Sequence, residues 1–399
     1  MEVWTLRPGR DAATRRRHPW LFSGSVGRRG GDPSDGVVEV RAADGAFLGR
    51  GLASLGSPIV VRLFTFEDRP VDAALVTERL EAAFALRARV VPEATDGYRL
   101  VNAEGDFLPG LVVDRYGDTL VVQASTEGID RARALWLPPL LRLFRESAAR
   151  DAAFVVAKND LASRKGEGLT LADEALVGES VPALVPFREH GLSFVADVGA
   201  GQKTGFFLDQ RENRALVGSI AKGKRVLNLF SYSGGFGVYA MAGGAARVTH
   251  VDSSAPALEL ARENHRRNGH AVENGPVDFV AADVFDDVRA RVAAGETWDV
   301  VVTDPPAFAK RKPDVDRACR GYKDVNRLAM KLLAPGGTLL ACSCSGPVDA
   351  DLFQKVLFSA SLDAGVPMRL LERRGAGEDH PVSLDCPEGE YLKAFRLEK

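Results

Sequence analysis

Apolar and polar positions change their period along this chain, and the change divides it. From about residue 189 short apolar runs alternate with amphipathic stretches. Runs at 224–230, 247–252, 277–282, 298–304 and 337–343 read as buried strands. Helical patterns fall between them: a small-residue helix after 237, one ending near 268, and others near 286–294, 323–333 and 349–364. Two more strands are predicted near 367–372 and 391–396. Strand–helix alternation of this kind predicts a doubly wound, mainly parallel sheet with ligands at its C-terminal strand ends.

The first half reads differently. Within residues 1–72, apolar runs at 36–41, 47–53 and 59–64 are separated by Gly, Asp and Pro turns, which predicts a small β-rich unit. A helix at about 71–89 follows, then strands at 98–102, 110–115 and 119–124, a helix at about 128–149 and a strand at 153–157. Residues 73–188 therefore read as a compact α/β module, with Pro182 and Pro186 marking a connector to the 189–399 domain. No internal repeat or low-complexity tract interrupts this plan.

Composition narrows the classes. At 399 residues, with 45% hydrophobic and 27% charged positions, the chain has room for two to three globular domains. No apolar stretch approaches the roughly 18 residues of a membrane helix, and the N-terminus lacks a signal-peptide core. Cysteines at 319, 342, 344 and 386 form no C-x-x-C pair, and the six histidines include no H-E-x-x-H. Neither a disulfide framework nor a metal site is expected, and a cytoplasmic, membrane-free setting is. The net charge of −2 hides a basic start: residues 1–30 hold seven arginines against two acids. Arg15, Arg16 and Arg17 stand beside Trp20 and Phe22, a mixture suited to phosphate neutralisation and base stacking. A merely solvated arginine run is the plainer alternative.

The chemistry gathers at the strand ends. Asn228 to Gly237 is a glycine-rich strand-to-helix turn that lacks the G-x-G-x-x-G of pyrophosphate dinucleotide sites. Asp252 closes the second strand, where a carboxylate suits ribose hydroxyls, and Asp283 closes the third, where one suits an adenine amino group. Either aspartate taken alone reads first as a helix cap. The set together favours an adenosine cofactor without pyrophosphate, S-adenosylmethionine (SAM). The fourth strand ends in Asp304-Pro305-Pro306-Ala307-Phe308, which sets one carboxylate on stiff backbone. Amino-methylating enzymes place an aromatic directly after Pro-Pro, where this chain has Ala307. The fifth strand ends in Cys342-Ser343-Cys344-Ser345-Gly346, and a thiolate there can attack a bound base. Cys344 is expected beside Asp304, with Cys342 roughly 6.6 Å deeper and inert.

On these residues the chain resembles the bacterial 23S rRNA (cytosine-5) methyltransferases with an N-terminal PUA domain, the large-subunit methyltransferase I type. The resemblance rests on Leu6-Arg7-Pro8-Gly9, on His18 to Gly24 (HPWLFSG), and on Gly201 to Arg211 (GQKTGFFLDQR). It continues through Asn228 to Phe236, Asp304-Pro305-Pro306, Arg320 to Asp324 (RGYKD), Ser343-Cys344-Ser345-Gly346, Asp379-His380-Pro381 and Pro387 to Lys393 (PEGEYLK). It implies an α/β protein with a C-terminal Rossmann-like class I SAM methyltransferase domain, an N-terminal PUA domain, a central α/β domain, and assembly as a homodimer. It implies that Lys203, Thr204 and Arg211, with Asn228, Phe230, Ser231, Gly234, Asp252 and Asp283, bind SAM. Cys344 and Asp304 would be catalytic; Arg15, Arg16, Arg17, Trp20, Lys310, Arg311 and Lys312 would hold 23S rRNA. Two departures stand out: Ala307 where the family often has Lys, and the second thiol at Cys342. The rival readings are an RNA amino-group N-methyltransferase and a non-catalytic RNA-binding ribosome-assembly factor.

Overall fold

The β-branched runs of the N-terminal region pair as three adjacent antiparallel strands, Val37–Arg41, Phe47–Ala53 and Ile59–Thr65. Three short strands complete a six-stranded sheet. Glu2–Leu6 lies parallel to Val37–Arg41, Val26–Arg28 forms one edge and Trp20–Phe22 the other. Their three to five residues are too few for period-two alternation to announce them. A five-stranded sheet follows, in which Gly97–Asn102, Leu111–Tyr116 and Thr119–Ala124 form a meander, with Phe154–Ala157 and Glu174–Val177 beyond it. The helix expected at 128–149 is two helices, Glu127–Arg131 and Arg133–Ala148. The expected connector around Pro186 is instead a strand, Leu184–Glu189, paired only with Leu192–Asp197. In a two-stranded sheet every strand is an edge, where the N–H that proline lacks need not be paired.

The computed structural model describes residues 1–399 except 32, 34, 35, 161, 180, 181 and 202. It divides into two compact units. The first comprises Met1–His190, Ala196–Phe206 and Glu378–Gly389, and the second Gly191–Val195, Phe207–Gly377 and Glu390–Lys399. Within the first unit one hydrophobic cluster crosses position 72. Val37, Leu52 and Phe64 are buried with Leu75, Leu80, Leu100, Val113 and Trp136. The β-rich and α/β blocks therefore share a core. Arg87 adds a buried fork, donating to both Asp106 oxygens at 2.6 and 2.7 Å and to the Asp379 carbonyl at 2.8 Å.

The second unit holds the predicted parallel sheet: β1 (Arg225–Leu229), β2 (Arg247–Asp252), β3 (Val277–Ala281), β4 (Trp298–Thr303), β5 (Leu333–Ser343), β6 (Arg369–Arg374) and β7 (Lys393–Glu398). Their order is β3-β2-β1-β4-β5-β7-β6. The first five are parallel, and β7 runs antiparallel between β5 and β6. That insertion brings Lys393 opposite Ser343 at the mouth of the sheet. Helices α1 (Arg211–Ile220), α2 (Gly235–Ala242), α3 (Ala255–Arg267), α4 (Val284–Ala293), α5 (Val315–Lys331) and α6 (Ala350–Ala364) alternate with the strands. Two apolar clusters cover the sheet. One holds Leu227, Leu339, Ala341 and Phe395; the other holds Val226, Leu340, Cys342 and Ala394. Alternate residues of one strand in different clusters mean that both faces are buried, as a doubly wound fold requires.

Polar groups also run through this interior. Asn228 on β1 lies 3.3 Å from His250 Nδ1 on β2. His250 Nε2 meets His265 Nε2 of α3 at 2.8 Å, and His265 Nδ1 meets His270 Nδ1 at 3.0 Å. Gly237 makes room for this chain, because a Cβ there would lie 2.2 Å from the His250 ring. Half of the six histidines, far apart in sequence, thus form one hydrogen-bonded row.

Candidate active site

The turn after β1 carries the first part of the site. Phe230 and Tyr232 adopt left-handed backbone conformations, φ +57° and +44°, and Gly234 follows at +77°. Positive φ at aromatic residues is costly and gathers where function fixes a backbone. Tyr232 N donates to Asp252 Oδ2 at 2.8 Å, and Ser254 N donates to Asp252 Oδ1 at 2.9 Å, so Asp252 organises the mouth between β1 and β2. Gly234 serves packing: a Cβ there would stand 2.7 Å from that of Ala261. Buried beneath the turn, Asn228 Oδ1 and Ser231 Oγ have no partner among the described residues. Such orphaned atoms carry a desolvation cost that a ligand can relieve. Asp283 caps α4, with Oδ1 accepting from Phe285 N and Asp286 N at 2.9 and 3.2 Å.

The second part is built where β4 and β5 end. Asp304 Oδ1 accepts from Gln210 Nε2 at 3.0 Å, and Asn213 Nδ2 donates to Gln210 Oε1 at 2.6 Å. Arg374 Nε in turn donates to Asn213 Oδ1 at 3.0 Å. Each donor fixes the amide orientation of the next, so a relay from β6 aims the Asp304 carboxylate. Neither Gln210, Asn213 nor Arg374 is conspicuous in sequence; Gln210 lies inside the GQKTGFFLDQR segment, its only signal.

The register corrects the expected depth of the two cysteines. Thr303 pairs with Ala341, so Asp304 stands level with Cys342, not with Cys344. Cys342 is fully buried, and burial together with the Asp304 charge pushes its thiol well above the ordinary range. Cys344 lies just past β5 and is only half-buried; its Sγ donates to the Pro305 carbonyl at 3.8 Å. Exposure, rather than depth alone, separates the two thiols. Ser345 braces the turn, since its Oγ bonds the Tyr322 hydroxyl at 2.8 Å and accepts from Ala309 N at 3.0 Å. The residue after Ala307, Phe308, is half-buried and packs on Tyr322, centroids 4.7 Å apart. Lys323 is paired with Asp363 at 2.7 Å.

The sequence-predicted cofactor residues thus separate. Asn228, Phe230, Ser231, Gly234, Asp252, Asp283 and Arg211 lie in the second unit, whereas Lys203 and Thr204 belong to the first. Gln202, named in the same segment, lies outside the described residues. Lys203 is exposed. Thr204 is buried, donating to Asp114 Oδ2 at 2.5 Å and bonding the Tyr116 hydroxyl at 2.9 Å. Arg211 is fully buried, with Nε donating to Glu212 Oε1 at 2.9 Å.

The basic residues are likewise in two places. In the first unit Arg15 pairs with Asp11 at 2.6 Å, Arg16 is exposed, and Arg17 lies 5.6 Å from the Phe66 ring. Trp20 is half-buried and spends its indole N–H on Glu104 at 2.8 Å. In the second unit Lys310, Arg311 and Lys312 are all exposed. His18, Cys386 and Glu388 also cluster within 4.8 Å, among the described residues. Hydrogen bonds account for that group. Trp20 N donates to His18 Nδ1, which leaves the proton on Nε2, facing Glu388 at 3.2 Å. Burial pushes the Cys386 thiol up to about 12.

Comparison with known proteins places this geometry. Residues 163–377 match the S-adenosylmethionine-dependent methyltransferase family, and residues 5–66 match a PUA-like domain. The ribosomal RNA large subunit methyltransferase I of Shewanella amazonensis is 45% identical over 393 residues, 98% of this chain and 97% of that one. This chain belongs to the ribosomal RNA large subunit methyltransferase I family. The Klebsiella pneumoniae member is 43% identical over 98% of this chain and 96% of its own. A solved structure of a candidate SAM-dependent methyltransferase from Streptococcus mutans shares the fold over 100% of both chains, with TM-score 0.82 at 22% identity. Membership makes the chain SAM-dependent. The orphaned Asn228 and Ser231 atoms and the Asp252 carboxylate fit that donor chemistry. Among the described residues no helix of this family member is long and apolar enough to cross a membrane.

Proposed function

We propose that this chain methylates C5 of a cytosine in large-subunit (23S) ribosomal RNA through a transient bond from Cys344 to C6 of the base. The observation that carries the reading is the half-buried Cys344 thiol beside the Asp-Pro-Pro turn, with its neighbour Cys342 sealed and protonated. The named activity of the relatives supplies the RNA class.

Cytosine C5 is a weak nucleophile. Addition of the Cys344 thiolate to C6 breaks the C5–C6 double bond and leaves an enamine whose electron density sits on C5. As the adduct forms, N3 takes one proton from water and returns it when the C4–N3 double bond re-forms; Asp304, aimed by Gln210, accepts from the exocyclic amine and from that N3–H. Once C5 carries the methyl group, its proton leaves to a base, the C5–C6 double bond re-forms and the thiolate departs. The target base must be unstacked or single-stranded to enter. Asn228, Phe230, Ser231, Gly234, Asp252 and Asp283 would hold SAM, with Arg211, Lys203 and Thr204 assigned by resemblance. Bound there, SAM supplies an electrophilic methyl group. Arg15, Arg16, Arg17 and Trp20, with Lys310, Arg311 and Lys312, would hold the RNA, and resemblance adds a homodimer acting in the cytoplasm. The amino-methylating alternative calls for an aromatic directly after Pro-Pro, where this chain has Ala307.

Bisulfite sequencing of 23S rRNA tests the reading. A strain lacking this gene should lose one 5-methylcytosine, and the wild-type gene should restore it. An unchanged cytosine map with a lost N-methyl mark would overturn it in favour of amine methylation.

A donor-site prediction follows from Asp252. Asp252→Ala removes the proposed ribose acceptor and frees the Tyr232 and Ser254 amides. Calorimetry should show SAM binding weakened by about 1.5–3 kcal/mol, the range for hydrogen bonds to a charged group. Unchanged affinity in a folded variant would remove Asp252 from the donor site.

A further inference from the structure

Lys393 is a buried lysine at the catalytic end of the sheet, 3% exposed. It begins β7 opposite Ser343, and its Nζ donates to two backbone carbonyls, Ser345 and Tyr391, each at 2.7 Å. Ser345 is the residue after the proposed nucleophile. The ammonium is therefore anchored against the turn that carries Cys344, and anchored by acceptors that bring no charge of their own. A buried cation held only by carbonyls is expensive unless a negative charge stands near it. Neutral carbonyls favour the donor-rich ammonium over the amine without neutralising it.

The charged and titratable surroundings are few. Cys344, Glu390 and Asp349 act on Lys393 and favour its charged form, against a burial that draws it down to about 8. Tyr322 of α5 and Cys342 of β5 also feel Cys344, and burial raises both above their ordinary values, so neither supplies negative charge at neutral pH. Glu390 and Asp349 bear on Lys393 after Cys344, whose sulfur is the stronger influence of the three.

We propose that Lys393 is the positioning residue that makes Cys344 a nucleophile: its anchored ammonium is the counter-charge of the Cys344 thiolate. The pair loses one proton to solvent. At low pH the thiol is protonated and the ammonium stands alone; as the thiol ionises, its proton leaves to solvent and the ion pair forms. The proposal rests on Cys344 being the nucleophile, and it adds what supplies the thiolate. Nothing in the local sequence advertises the role, because Lys393 lies 49 positions after Cys344 and reaches it only through the antiparallel insertion of β7.

The test reads the thiol directly. Iodoacetamide alkylation of the full-length protein is followed by site-resolved mass spectrometry from pH 6 to 10, with half-buried Cys319 as internal reference. In Lys393→Met the pH midpoint of Cys344 alkylation should rise by at least one unit, with a tenfold or greater fall in its rate at pH 7. The Cys319 profile should not move. Lys393→Arg, which keeps the charge, should hold the Cys344 midpoint near the wild-type value. An unmoved midpoint in Lys393→Met overturns the proposal, as does an equal shift in Lys393→Met and Lys393→Arg, which would make the lysine a structural tie. If Lys393→Met does not fold, the arginine variant and Lys393→Gln decide in the same way. These outcomes do not depend on methylation, so they stand apart from the failure of Cys344 as nucleophile, which retained activity in Cys344→Ala would reveal.

Discussion

Cys344→Ala should reduce methylation of 23S rRNA by more than about 10³-fold, the scale on which removing a covalent nucleophile acts. SAM affinity should stay within about twofold, because the thiol past β5 is not among the groups proposed to hold SAM. Cys342→Ala should keep most of the activity despite standing level with Asp304. The asymmetry follows from protonation and access: burial and the Asp304 carboxylate hold Cys342 as a thiol, while Cys344 is half-exposed beside the Pro305 carbonyl. RNA carrying 5-fluorocytosine at the target should form a covalent adduct with wild type and Cys342→Ala, and none with Cys344→Ala. Fluorine at C5 blocks the proton loss that releases the enzyme, so the adduct accumulates. Full activity of Cys344→Ala, with no adduct in wild type, would leave amine methylation as the better account of the Asp-Pro-Pro turn.

The parallel sheet of the second unit was legible because each strand is a continuous apolar run, and both of its faces are buried. The strand ends were legible for the same reason: Asp252, Asp304 and Cys344 are the polar residues that interrupt or follow those runs. Strand order was not. That β7 enters between β5 and β6 depends on pairing between segments distant in sequence, and it sets Lys393 opposite Ser343, beside the turn that carries Cys344. Register was not legible either, so the relative depth of Cys342 and Asp304 was misjudged by two residues. The glycines of the β1–α2 turn read as room for a ligand, yet Gly234 and Gly237 make room for Ala261 and His250. A pattern marks where a side chain is absent, not what fills its place. The Gln210–Asn213–Arg374 relay is the same lesson for polar groups, since amides gain their meaning only from partners that the fold supplies.

The histidine row predicts a steep loss of stability in mild acid. Burial draws His250 down to about 3 and His265 down to about 2, far below the roughly 6.5 of an unfolded imidazole. The folded state therefore holds both rings neutral where the unfolded chain takes up two protons. Below about pH 6.5 unfolding gains protons, so stability falls as pH falls, and it is fully present only above that value. Once both unfolded rings are charged, each further pH unit should cost up to about 2.7 kcal/mol, twice the value of one proton. Against a typical total of about 5–15 kcal/mol, two such units can unfold the domain. Urea denaturation at pH 8, 6.5, 5.5 and 5 should show this slope, with His265→Gln removing about half of it. Glutamine keeps a hydrogen-bonding group beside His250 and His270 but does not titrate, so it separates the proton from the contact. An equal slope in wild type and His265→Gln would mean that carboxylates, not the buried row, govern the acid limit.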